Sequence, residues 1–156
     1  HARPVVEHHI VSERIRIQTR QFAIFSNPPQ PERSFTMRYL NIVLGILMLA
    51  FVAVQYNDPD GPLWMAIYAV PAIWAFLAAF RLPLLQSPTG SRLLWLSIAA
   101  GVAATLYYWP QMPGFWHQEV WWNEETAREG MGVMLLLAVL LVARFTASVR
   151  RSAGAA

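Results

Sequence analysis

Residues 39–56 read Tyr-Leu-Asn-Ile-Val-Leu-Gly-Ile-Leu-Met-Leu-Ala-Phe-Val-Ala-Val-Gln-Tyr and carry no charged side chain. The apolar residues run continuously instead of alternating, which excludes a β-barrel strand. The run is close to the about 20 helical residues needed to cross ~30 Å of hydrocarbon. Three more stretches follow: 63–80, uncharged with Pro71 in its middle; 93–109, stopped by Pro110; and 128–149, in which Arg144 is the only charge after Gly130. Hydrocarbon offers no partner to a backbone N–H or C=O, so each span must satisfy its own hydrogen bonds as a helix. The expected fold is all-α, an integral membrane four-helix bundle with short loops and one aromatic outer loop.

The composition of the 156 residues agrees. Hydrophobic residues make up 56% and charged residues 13%, with a mean hydropathy of +0.35. A soluble domain carries about 25% charged residues, so a soluble enzyme is excluded in practice. There is no cysteine, which removes disulfides, thiolate catalysis, iron–sulfur clusters and cysteine zinc sites. All 12 basic residues are arginine, which removes a Schiff-base lysine and a Walker-type phosphate loop. Arginine in place of lysine also points to a GC-rich bacterial genome. The isoelectric point near 9.8 does not imply nucleic acid as a partner, because the arginines sit at the ends of apolar segments and not on one basic face.

Two parts of unequal character are visible. Residues 1–36 hold five arginines, three histidines and four prolines, and the run Asn27-Pro28-Pro29-Gln30-Pro31 continues neither a helix nor a central strand. Without an apolar core segment this part is no signal peptide. It is expected to be a disordered upstream extension from an over-long gene model, with Met37 the ordinary start, or else a cytoplasmic tail. Residues 37–156 form the transmembrane domain.

The charges orient that domain. With four crossings, Arg38, Arg81, Arg92, Arg144, Arg150 and Arg151 share one side. All six acidic residues of this part (Asp58, Asp60, Glu119, Glu124, Glu125, Glu129) fall on the other, with Arg128 the sole arginine there. The positive-inside rule places both termini in the cytoplasm, in a bacterial cytoplasmic (inner) membrane. Arg144 is then close enough to the helix end to snorkel, Pro71 is expected to kink the second helix, and the small residues Ala99, Ala100, Gly101, Ala103 and Ala104 suit close helix packing, within the bundle or in a homo-oligomer.

The long outer loop carries Trp109, Phe115, Trp116, Trp121 and Trp122. Tryptophan favours the membrane–water boundary, so these rings are expected to anchor the loop at the interface, or else to wall a ligand pocket. Asn123 reads as the N-cap of the fourth helix, with Glu124 and Arg128 at ion-pair spacing and Glu125 and Glu129 on one face. The other outer segment, Gln55-Tyr56-Asn57-Asp58-Pro59-Asp60, ends the first helix in a tight turn. Gln55, Asn57, Asp58, Asp60, Glu125, Arg128 and Glu129 therefore form a candidate polar cluster at one end of the bundle. It is expected to be a structural network, a cation site or a small-molecule pocket. Asp58, Asp60, Glu125 and Glu129 are the oxygen donors for a cation and His117 the nitrogen donor, although the spacing matches no EF-hand or zinc signature.

The turn Asn57-Asp58-Pro59-Asp60 with Trp64 and Tyr68, and Glu124-Glu125 with Arg128-Glu129 opening the last span, resemble the transmembrane protein 220 family over about residues 37–149. The resemblance implies a small four-span membrane bundle and supplies no catalytic residues or cofactors.

Other membrane functions lack their residues. His117 alone cannot ligate a bis-histidine haem, Ser97 has no histidine partner for intramembrane proteolysis, and no ionisable residue sits at the midplane for proton-coupled transport. Two functions remain. One is a non-enzymatic accessory or interaction subunit, with the lipid bilayer, a membrane protein or a second copy as partner. The other is a membrane enzyme or a ligand- or cation-binding protein that uses the acidic cluster.

Overall fold

The structure, a computed structural model, describes residues 31–154; the reading of residues 1–30 lies outside the described residues. Six α-helices follow one another: α1 (Pro31–Val54), α2 (Gly61–Phe80), α3 (Leu82–Gln86), α4 (Pro88–Tyr108), α5 (Gln118–Asn123) and α6 (Glu125–Gly154). Among the described residues there is no strand. Four stretches, Phe35–Asn57, Gly61–Phe80, Pro88–Gln111 and Glu125–Val149, are long and apolar enough to cross a bilayer. The fold is thus an all-α membrane bundle, and α1 takes in the last six residues of the segment set apart as an extension.

Helix α6 is the most covered of the four spans and packs against both α2 and α4. Its buried residues Val133, Leu136, Val139, Leu140, Ala143 and Ala147 recur at helical spacing. They meet Tyr68, Ala72 and Ala75 of α2 and Leu94 and Ile98 of α4 in one core. The lipid-facing side is as apolar as that core: Val43, Ile46, Leu96 and Leu106 are each more than half exposed. In water such a surface would aggregate; in a bilayer it is solvated.

Polar side chains join the helices inside this apolar mass. Asn41 of α1 is fully buried; its Nδ2 donates to the Met37 carbonyl at 2.7 Å and across the bundle to Thr146 Oγ1 at 2.8 Å. Trp74 Nε1 of α2 donates to Ser97 Oγ of α4 at 3.0 Å. Pro71 lies on the buried face of α2, which continues helical through it. Of the small residues on α4, Gly101 is buried against Leu136 and Leu137 of α6, whereas Ala99, Ala100 and Ala103 face outward.

The third span starts earlier than its apolar run. Ser87 Oγ accepts the Gly90 N–H at 3.0 Å as an N-cap, and Pro88 occupies the first turn, where its missing N–H costs nothing. Capping chemistry, not hydrophobicity, sets that boundary.

Candidate functional site at the acidic end of the bundle

Two elements meet at one end of the bundle. At the first, α1 closes in a 3₁₀ turn, Gln55–Asn57. Asp58 is extended at φ −81°, ψ 144°, the geometry a following proline imposes. The Gly61 N–H donates to the Asp58 carbonyl at 3.0 Å, closing the turn. Asp60 precedes α2, but its carboxylate does not cap the helix. It accepts the indole N–H of Trp64 through Oδ2 at 2.8 Å. At the second element, the first turns of α6 present Glu125, Arg128 and Glu129.

Between them lies a cavity of about 270 Å³. Gln55, Asp58, Asp60, Glu125, Arg128 and Glu129 all line it, and Val54, Trp64 and Tyr68 complete the wall. Six of the seven residues of the candidate cluster are thereby brought to one concavity, while Asn57 is exposed and outside the lining. Trp64 and Tyr68 are absent from the polar cluster expected from the sequence. The signal for them is their spacing: positions 60, 64 and 68 share one face of α2, directly below Asp60.

The floor of the cavity is aromatic and close-packed. Tyr68 stacks on Trp64 with ring centroids 5.7 Å apart and meets Phe51 of α1 edge-on at 5.3 Å. Trp64 also touches Tyr108 of α4, at 6.3 Å. Tyr68 is only 4% exposed. Among the described residues its hydroxyl has no hydrogen-bond partner, and Glu129 is the carboxylate that faces it and the Tyr108 hydroxyl. The ring reaches this depth because residue 132 is glycine: a Cβ there would overlap the Tyr68 hydroxyl.

Three expectations are corrected. Asn123 is not the N-cap of the last span. It ends the short helix α5, and its Nδ2 donates to the Glu119 carbonyl at 2.8 Å, so α6 starts at Glu125 with the Glu124 carbonyl accepting the Arg128 N–H at 3.3 Å. Arg128 does not pair with Glu124. Its Nη1 donates to the Trp122 carbonyl at 2.9 Å, since the break between α5 and α6 leaves that carbonyl without a helical donor. The metal donors are not assembled either. Among the described residues no group of three or more His, Asp or Glu side chains is placed to hold a metal ion. His117 is exposed on the loop with its ring beside Trp116 at 5.6 Å and lies outside the lining of the cavity.

The aromatic loop forms a rim beside the cavity. Gly114, at φ 73°, turns the chain in a left-handed conformation open to glycine. Met112 is buried beneath it. Trp109, Trp116 and Trp122 are 56%, 69% and 68% exposed, whereas Phe115 and Trp121 are half-buried. Phe115 bridges Trp109 and Trp116 through edge contacts at 5.7 and 5.4 Å. None of these rings lines the cavity.

The end of the bundle is thus a polar concavity with four carboxylates, one guanidinium committed to a backbone carbonyl, and an aromatic floor. No solved structure matches the chain. The family described as "Transmembrane family 220, helix" matches over residues 47–145, a stretch that contains every residue lining the cavity, and the chain belongs to that family.

Proposed function

We propose that the protein is a membrane binding protein whose acidic-end cavity takes a small organic ammonium ligand. The observation that carries this reading is the Tyr68 hydroxyl: without a hydrogen-bond partner among the described residues, it opens on a cavity ringed by carboxylates. A phenol oxygen keeps lone pairs that can accept an N–H from an ammonium ligand. Four carboxylates against one arginine favour a cation. About 270 Å³ lies just under the roughly 300–1,000 Å³ of drug-sized sites, so the ligand is small.

Orientation follows from the charges. The arginine-rich end stays in the cytoplasm and the cavity opens on the outer face of a bacterial cytoplasmic membrane, by the positive-inside rule. A second reading, an accessory subunit, is favoured by the exposed Trp116 and Trp122, which suit a protein partner as well as lipid. The two separate by experiment. Glu129→Gln keeps shape and removes charge. In a binding protein it abolishes stabilisation by amines such as ethanolamine or spermidine while the fold persists. In an accessory subunit no amine stabilises the wild type at all.

A further inference from the structure

At the opposite end of the bundle, Arg144 presents a different unsatisfied charge. It lies five residues before the end of its span at Val149, ~7 Å inside at 1.5 Å per residue. Its guanidinium sits over the Trp95 ring at 5.3 Å. Its Nε is buried and has no partner, and among the described residues no hydrogen bond from the guanidinium is formed. Arg144 forms no ion pair among the described residues, and every acidic residue of 37–156 belongs to the other end. An arginine at that depth with neither carboxylate nor carbonyl is expensive in a membrane. Stacking on tryptophan offsets part of that cost and leaves the edge of the planar fork free.

The surroundings name the missing anion. Trp95 is 52% exposed on the lipid-facing side of α4. Arg92, also exposed, is one helical turn nearer the membrane surface on the same helix face. A guanidinium on a half-exposed indole, with Arg92 one turn nearer the helix end, is complementary to a phosphodiester in the sign of its charge and in bidentate geometry. We propose that Arg144, Arg92 and Trp95 hold the phosphate of an anionic phospholipid at the arginine-rich end of the bundle. This site is independent of the acidic-end cavity.

The test uses the full chain in neutral detergent, with thermal unfolding followed against added phosphatidylglycerol, phosphatidylcholine or inorganic phosphate. The expected result is a midpoint that rises with phosphatidylglycerol, little with phosphatidylcholine, and not with inorganic phosphate. Arg144→Gln should weaken the phosphatidylglycerol effect roughly tenfold in lipid concentration. Should that variant fail to fold, the exposed Arg92→Gln and Trp95→Leu should each weaken it as well, while Arg81→Gln at the same end leaves it unchanged. Equal stabilisation by phosphatidylglycerol and phosphatidylcholine overturns the proposal. So does an equal effect of inorganic phosphate, which would make the site one for a free anion. So does equal loss on Arg81→Gln, which would make the binding a general response to positive charge.

Discussion

The hydroxyl of Tyr68 lies against Gly132, in the space that a Cβ on residue 132 would need. One helix gives up a side chain so that another can carry a phenol under it to the floor of the acidic-end cavity. Neither residue has a reason to be paired in the sequence, yet the cavity depends on both.

That relationship fixes the outcome of a double-mutant cycle. Gly132→Ala should destabilise the bundle by about 1–3 kcal/mol, the range for forcing an extra methyl into packed space. Tyr68→Phe removes a hydroxyl that has no protein partner, so it should leave stability near that of the wild type. In the Tyr68→Phe background Gly132→Ala should cost clearly less, because the overlapping oxygen is gone. Unfolding midpoints in detergent read all four proteins, and simple additivity would show that the contact is not what constrains residue 132.

The two aspartates of the turn should behave differently although they are two residues apart. Asp60 accepts the Trp64 indole N–H at 2.8 Å. Asp60→Ala strands the indole N–H of the buried Trp64 and should cost about 1–3 kcal/mol. Asp58 is exposed and makes only backbone bonds, so Asp58→Asn should stay within about 0.5 kcal/mol of the wild type. Thermal unfolding of the two variants side by side distinguishes a carboxylate that supports the fold from one available to a ligand.

Orientation has a direct chemical readout because the chain has no cysteine. Asn123→Cys, at the end of α5, and Thr89→Cys, near the start of α4, are both at exposed positions. In intact bacterial cells a membrane-impermeant maleimide should label the first and spare the second until the cells are lysed. The reverse pattern would turn the bundle over and place the acidic cavity in the cytoplasm.

Much of this arrangement is legible in the sequence. Four uninterrupted apolar runs leave only helices possible in lipid, and an even number of crossings places the turn at 55–60 and the start of α6 at one end. Pro59 disfavours helical geometry at Asp58, so a break at this turn is readable, although α1 already gives way to a 3₁₀ turn after Val54. What escaped depends on contacts across the bundle. The Asn41–Thr146 bond joins residues 105 apart, and no periodicity announces it. Arg128 stands at ion-pair spacing from Glu124, yet the break before α6 offers it the Trp122 carbonyl instead. Asn123 has the chemistry of a cap, but six residues from Gln118 complete a short helix of their own and absorb it. Local propensity was outvoted in each case by a partner that the linear sequence does not bring near.

The most direct test of the binding function is the unfolding midpoint of the detergent-purified full chain against rising ethanolamine, with ethylene glycol as the uncharged control and with magnesium and calcium in parallel. The expected result is a concentration-dependent rise with ethanolamine, none with ethylene glycol, little with either metal, and loss of the rise in Glu129→Gln and Tyr68→Phe. A midpoint that does not move with the amine, or that moves equally in both variants, would contradict a cation-binding role for the cavity and leave its carboxylates to structure or to a protein partner.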